Sequence, residues 1–252
     1  MMPARALRWA PLVAIIAFVS AWRPLKVPTG AEIVQQMHDK YAGKWFKTLT
    51  FVQTTTRRDS TGKDHVTTWY ESASLPGRLR IDIGKPSLGR GVLYTHDSTY
   101  QIDSGKVKSD AGGNPLIPML FDVYVAPVDQ TMADLQTLKV DVSKVAETTW
   151  DGRPVYIIGA DLGDERAPQL WIDKERLVVL RQIFVVRDTV FIDSRFKNYR
   201  QIGHSWIAPR CEFYRNGKML QAEDYADIKA DVPLSPALFD PAQWTTAPHW
   251  AH

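Results

Sequence analysis

The chain has 252 residues, 44% of them hydrophobic, with nine each of Trp, Tyr and Phe, which is enough to build a sizeable core and excludes a disordered polypeptide. Its 31 basic and 28 acidic residues leave a formal charge of only +3, and Arg57-Arg58 is the one adjacent basic pair, so no dense basic patch recruits nucleic acid. The single cysteine, Cys211, excludes an intrachain disulfide, and alternation in Ala208–Tyr214 reads it as a small buried thiol on one face of a strand.

At the N-terminus Arg5 and Arg8 precede an apolar run from Trp9 to Val19, followed by the small residues Ser20 and Ala21. This is the order of a secretory signal peptide, with Val19 and Ala21 flanking a cut before Trp22. The run is shorter than the roughly 20 apolar residues a membrane span needs. An uncleaved anchor is the competing reading. No cysteine lies near the cut, so lipid anchoring there is not expected. Residues 1–21 are thus read as a leader and 22–252 as one domain, exported and soluble.

Thr29 and Glu32 have capping-box spacing, and Ile33, Met37 and Tyr41 then recur every four residues, predicting a helix ended near Gly43. From Thr48 the period changes to two, and a turn at Asp59–Lys63 leads into a second strand from His65. After Leu75-Pro-Gly77, Leu79, Ile81 and Ile83 face one way and Arg78, Arg80 and Asp82 the other. The pattern predicts one dry and one wet face. A short strand pair follows around His96-Asp97. Asp110–Pro115 reads as a joint, with Gly112 and Gly113 as its hinge, before a short helix at Leu116–Phe121 that starts on prolines. A second helix is expected over Asp129–Leu138. Strands then run almost to the end, with Asn216-Gly217 marking a tight hairpin. Ten or eleven antiparallel strands are expected, with Trp206–Tyr214 one of them and a closing tail at Pro236–Trp244 that covers an edge.

Chemical motifs are absent: the chain has no zinc-binding His-Glu-x-x-His, no nucleophile elbow and no phosphate-binding glycine loop. His96-Asp97-Ser98 holds triad residue types, but adjacent residues do not make triad geometry. Asp161–Glu165 lacks the spacing of a calcium loop and reads as a solvated hairpin tip. Glu223, Asp224, Asp227 and Asp231 share one long strand, where alternation splits them between faces and edge-strand charge is the simple account. No metal or cofactor is expected. What remains is an apolar sheet face that must be covered, with Ile33–Tyr41 and Leu116–Val125 as the natural covers. Either the second cover is a removable lid over a cavity an acyl chain fills, or it packs permanently on a solid core; each buried CH₂ would contribute roughly 0.8 kcal/mol in the first case.

The order of elements resembles the LolA-like superfamily of outer-membrane lipoprotein-sorting proteins. The stretches that carry the resemblance are Ile33–Lys40 with Phe51–Thr54, Leu75–Arg80, Asn114–Leu120, Leu170–Asp173 through Leu180–Ile183, and Leu238–Pro241. It implies a mainly β fold in which one large antiparallel sheet curls into an unclosed barrel, covered by an N-terminal helix and a short central lid helix. It also implies a periplasmic carrier without covalent chemistry, whose apolar cavity takes the acyl chains of a lipid or lipoprotein. Its partners would be donor and acceptor proteins at the inner and outer membranes, and it would act as a monomer. The cavity residues read from alternation are Leu49, Phe51, Leu79, Ile81 and Ile83, and the lid residues are Leu116, Met119, Leu120 and Val123. In the carriers an arginine precedes the proline after the second strand and helps hold the lid; Leu75 stands there in this chain, so that switch is not carried over. The hairpin from Asn198 to Ala230 is also longer than in the minimal carrier. The same fold could instead serve a sensor that binds a membrane-protein partner, and an enzyme using His96 or His204 is the third reading.

Overall fold

The computed structural model describes residues 27–186 and 189–251; the expected leader and the Arg187-Asp188 turn lie outside the described residues. The first element is helix α1 (Gly30–Tyr41), whose capping box forms as expected: the Thr29 side chain accepts from the Glu32 amide, and Glu32 reaches back to Thr29 N. Such a cap contributes about 1 kcal/mol. Its buried stripe is Ile33, Val34, Met37 and Tyr41.

Six strands follow: β1 (Thr48–Arg58), β2 (Asp64–Ser74), β3 (Arg78–Ile83), β4 (Gly91–Tyr94), β5 (Ser98–Asp103) and β6 (Lys106–Ala111). The joint expected at Asp110 therefore begins two residues later, because Asp110 and Ala111 pair with Thr99 and Ser98. Then come α2 (Ile117–Leu120), a 3-10 turn at Asp122–Tyr124 and α3 (Val128–Thr137). The second half holds β7 (Val145–Trp150), β8 (Arg153–Ile158), β9 (Gln169–Asp173), β10 (Val179–Val186), β11 (Val190–Lys197), β12 (Arg200–Ile202), β13 (Ser205–Ile207), β14 (Arg210–Arg215) and β15 (Lys218–Ala230).

Thirteen of these strands form one antiparallel sheet in the order β6-β5-β4-β3-β2-β1-β15-β14-β11-β10-β9-β8-β7, open at both ends. The strand count exceeds the ten or eleven expected. One cause is that Trp206–Tyr214 is not continuous: it breaks at Ala208-Pro209, and β13 turns back onto β12 as a separate hairpin. The long β15 is not an edge. It sits mid-sheet between β1 and β14, so edge protection does not explain its acids.

The sheet is concave around the helices. Phe51 of β1, Leu79 of β3 and Phe196 of β11, drawn from well-separated strands, border one void under α2. The opposite, convex face of β3 is not wet as the alternation suggested. Arg80 is 2% exposed and Asp82 0%. The reason is the C-terminal tail, which packs Leu238, Phe239 and Trp244 against Leu93 and Ile102 on that face rather than covering an edge.

Candidate functional site

The helical layer lies on the concave face, where Ile117, Met119, Val123 and Tyr124 join α1 and the inward side chains of the sheet in one core. The lid segment is pinned at both ends. Gln182 Nε2 on β10 donates to Pro115 O at 2.9 Å, and the Gly77 amide in the β2–β3 turn donates to Asp122 Oδ1 at 3.0 Å. Burial pushes the Asp122 carboxyl up to about 6 even though the Gly77 amide favours its charged form. Leu75, two residues before Gly77, packs on the core beside this second contact. Gly113 is not a free hinge: a Cβ there would lie 2.6 Å from His96 O and 2.7 Å from Thr95 O, so glycine is needed for close approach. Gly112, at φ +95°, supplies the flexible conformation alone.

Under the lid are two small voids of about 80 and 30 Å³. Leu120 and Phe121 from the lid and Phe196 and Tyr225 from the sheet border both, so side chains of lid and sheet together separate the two voids. Neither approaches the roughly 300–1,000 Å³ of a ligand pocket. The lid is closed. Of the expected site residues, Phe51, Leu79, Ile81, Leu116 and Leu120 line the larger void. Leu49, Met119 and Val123 are fully buried in the surrounding core, and Ile83 packs on it half-buried. The alternation was therefore in register, and the lid and sheet residues do meet.

Sequence reasoning missed the polar part of this chamber. Glu71 of β2 and Glu223 of β15 border the larger void together with Tyr225, and both glutamates are buried. They flank β1, across from Phe51 and Thr55 respectively. Tyr225 Oη donates to Glu223 Oε2 at 2.8 Å and accepts from Cys211 Sγ at 3.4 Å, and Gln221 also donates to Glu223. Burial pushes the Glu223 carboxyl up to about 7 against the effect of those donors. Glu71 is raised as well, by burial and then by the Glu223 charge, and Cys211 is raised by burial, which keeps the thiol protonated. The signal that could have found Glu71 was its place in Thr67-Thr-Trp-Tyr-Glu71-Ser-Ala73. Alternation there puts it on the same face as Trp69 and Ala73, a polar residue in a dry row.

The other singled-out residues do not converge. His96 is half-exposed beside Asp134 and Gln130, Asp161 pairs with Lys144, and Glu165 pairs with Arg181. Among the described residues no group of His, Cys, Asp and Glu is placed to hold a metal, and no helix is long and apolar enough to cross a membrane. A roomier cleft of about 560 Å³ opens beneath the C-terminal tail, beside Arg80 and His249. Its central cation is already saturated: Arg80 donates to Asp82, Leu238 O and Trp244 O and lies 3.8 Å from the Trp244 ring centre.

No protein-family model and no curated protein matches the chain. Among solved structures it is similar to a DUF1329 family protein from Desulfovibrio piger, at 16% identity over 84% of this chain and 95% of that one, with a TM-score of 0.57. It is also similar to a LolA superfamily protein from Nitrosomonas europaea, at 12% identity over 84% of this chain and 98% of that one, with a TM-score of 0.54. The chain has the LolA-superfamily fold. Within that LolA-like frame the unclosed sheet, the helical layer and the short central lid all take the places expected of them.

Proposed function

We propose that this protein is a periplasmic, non-enzymatic carrier that shelters the acyl chains of a lipid or lipoprotein between the concave sheet and the lid, delivering them between membrane donor and acceptor proteins. The observation that carries this reading is the divided chamber. Leu120 and Phe121, on a lid of a single helical turn, form the lid's half of its partition, against Phe196 and Tyr225 of the sheet, so lifting that turn removes that half and widens the chamber. A one-turn helix has little stability of its own, and the lid is held chiefly by two hydrogen bonds and the burial of Ile117 and Met119. An acyl chain that replaces Leu120 and Phe121 against Phe51, Leu79 and Phe196 recovers that burial at roughly 0.8 kcal/mol per CH₂.

The test is uptake of a fluorescent acyl probe by the purified protein, with organic extraction and mass spectrometry of whatever it carries from the periplasm. The expected result is saturable binding that Leu120→Asp weakens by about tenfold or more, a charge in an apolar wall being costly, with the β signal in circular dichroism retained. Unchanged uptake by Leu120→Asp would place the ligand elsewhere and end this reading.

A further inference from the structure

We infer that the ligand of this chamber is an amphiphile with a cationic, hydrogen-bond-donating head, such as a protonated amine, which Glu71 and Glu223 receive as the counter-charge the protein itself does not supply. The inference rests on the acyl-carrier reading of the same chamber and adds the chemistry of the head group.

Its basis is a contrast in how buried carboxylates are matched. Asp82 meets Arg80 at 2.8 Å, Asp193 meets Arg181 and Arg195, both at 2.8 Å, Asp173 meets Arg153, and Glu212 meets Lys197 at 2.9 Å. Among the described residues Glu71 and Glu223 pair with no cation. Glu71, 4% exposed, has neither a hydrogen bond nor an ion pair and borders the void. A buried carboxylate without a partner is costly, and natural interiors keep few of them outside functional sites.

Three further buried side-chain oxygens lie on the concave face, one of them on Gln53, which also acts on Glu223. Gln53 Oε1, Gln182 Oε1 and Ser194 Oγ all lack a hydrogen-bond partner. Their inward direction follows from register: Gln53 is opposite Trp69, while Ser194 is opposite Gln182 and Phe213. These three groups border neither void, and at the smaller void the unpartnered Trp45 Nε1 is a donor, so it is the acidic pair itself, open to the larger void, that calls for a ligand bringing positive charge and hydrogen-bond donors. A carboxylate or phosphate facing Glu71 and Glu223 would meet like charge instead.

The ionisable groups around the pair do not already do this. Arg57 of β1 is exposed at the rim, bonded to Gln221 and lying over the Trp69 ring. Tyr94 of β4, Tyr225 of β15 and Cys211 of β14 are neutral hydroxyl and thiol groups raised by burial. Arg210 of β14 is taken by Asp224 and Glu212. Leu116–Phe121 on the lid contains no ionisable side chain, and Asp122 beyond it is held by Gly77. With both glutamates protonated in acid, the attraction for a cation is lost.

The experiment is isothermal titration of the protein with dodecylamine, dodecanol and dodecanoate, each below its micelle concentration, at about pH 8 and about pH 5. The amine stays charged at both, as a lysine-like group of pKa about 10.4. We expect dodecylamine to bind about tenfold or more tightly than dodecanol at the higher pH. That preference, read as the ratio of amine to alcohol affinity within each variant, should shrink at the lower pH and disappear in the double variant Glu71→Gln, Glu223→Gln; Glu71→Gln alone should lose part of it. Equal binding of amine and alcohol, preference for dodecanoate, or an amine preference that survives in the double variant overturns the cationic ligand and leaves the carrier reading standing. Failure of all three probes to bind overturns the carrier reading, and this inference with it.

Discussion

On the convex face of the sheet, Arg80 and Arg181 are each 2% exposed, each holds an aspartate at 2.8 Å, and each guanidinium lies over an indole. On the concave face of the same sheet, Glu71 and Glu223 are buried beside an apolar void with no cation. The two faces share strands, backbone geometry and burial, so the difference lies in what covers them. The convex groups are roofed by fixed parts of the chain: the C-terminal tail over Arg80, and Trp150 with Trp171 over Arg181. The tail completes the hydrogen bonding of Arg80 through Leu238 O and Trp244 O, Glu165 completes that of Arg181, and the charges serve stability. The concave groups are roofed by a one-turn lid that offers them nothing polar. A permanent structure would gain by replacing them with apolar side chains of similar size. Their retention beneath a one-turn cover is what the proposed binding role accounts for.

The largest expected effect comes from breaking a convex pair. Arg80→Ala leaves Asp82 buried beside His249 alone, and removes the hydrogen bonds that tie Leu238 and Trp244 to the sheet. Loss of one partner of a buried pair costs about 3–5 kcal/mol, read as a lower denaturant midpoint with an unchanged slope. Hydrogen exchange should accelerate first in residues 234–250. A cost below about 1 kcal/mol would mean that the convex pairs are as dispensable as surface ion pairs, and the contrast between faces would collapse.

The next effect separates the faces by pH. The Asp193 carboxyl is buried, which alone would raise it, but hydrogen bonds and charge from Arg181 and Arg195 outweigh burial and hold it below its ordinary 3.8. A lowered carboxylate contributes stability above its ordinary value and loses it as pH falls through the folded value, so the convex face weakens in strong acid. Glu223 goes the other way. Its carboxyl is raised from an ordinary 4.5 to about 7, so the folded state binds the extra proton between those values. Its stabilising contribution is complete below about 4.5 and is lost as pH climbs to about 7, a change of order 3 kcal/mol. Glu223→Gln should therefore flatten the decline in unfolding free energy over that window while leaving the acid limb unchanged. An unaltered profile would show that Glu223 is solvated or already paired in solution.

The hydrophobic half of this site was legible in the chain because period-two alternation is a local signal. Leu49, Phe51, Leu79 and Ile81 all turned inward as their spacing required, and Leu116 and Leu120 met them from the lid. The capping box at Thr29–Glu32 and the hairpin at Asn216-Gly217 are equally local, and both formed. What could not be read was anything fixed by long-range pairing. Glu223 looked like edge-strand charge because nothing local says that β15 crosses back to lie beside β1, with Glu223 opposite Thr55, 168 residues earlier in the chain (223 − 55). Arg80 and Asp82 looked solvated because the residues that cover them, Leu238 and Trp244, lie at the far end of the sequence. Alternation assigns a face. Only topology decides what that face meets.

The smallest expected effect tests the site from outside. His96 carries the one triad-like run, and its ring is half-exposed, with Nε2 3.1 Å from Asp134 and 2.8 Å from Gln130 Nε2. It borders neither void under the lid. His96→Ala removes a surface contact of the kind worth about 0.2–1 kcal/mol, so the thermal midpoint should move by a degree or two and acyl-probe affinity should stay within about twofold. The measurement reads more than a control. His96 O and Thr95 O are the atoms against which Gly113 packs, so the backbone of this turn supports the lid joint even though the side chain does not. A variant that loses probe binding while keeping its midpoint would show the imidazole itself coupled to the lid through Asp134 on α3. The functional boundary would then extend past the chamber walls to the turn that seats the hinge.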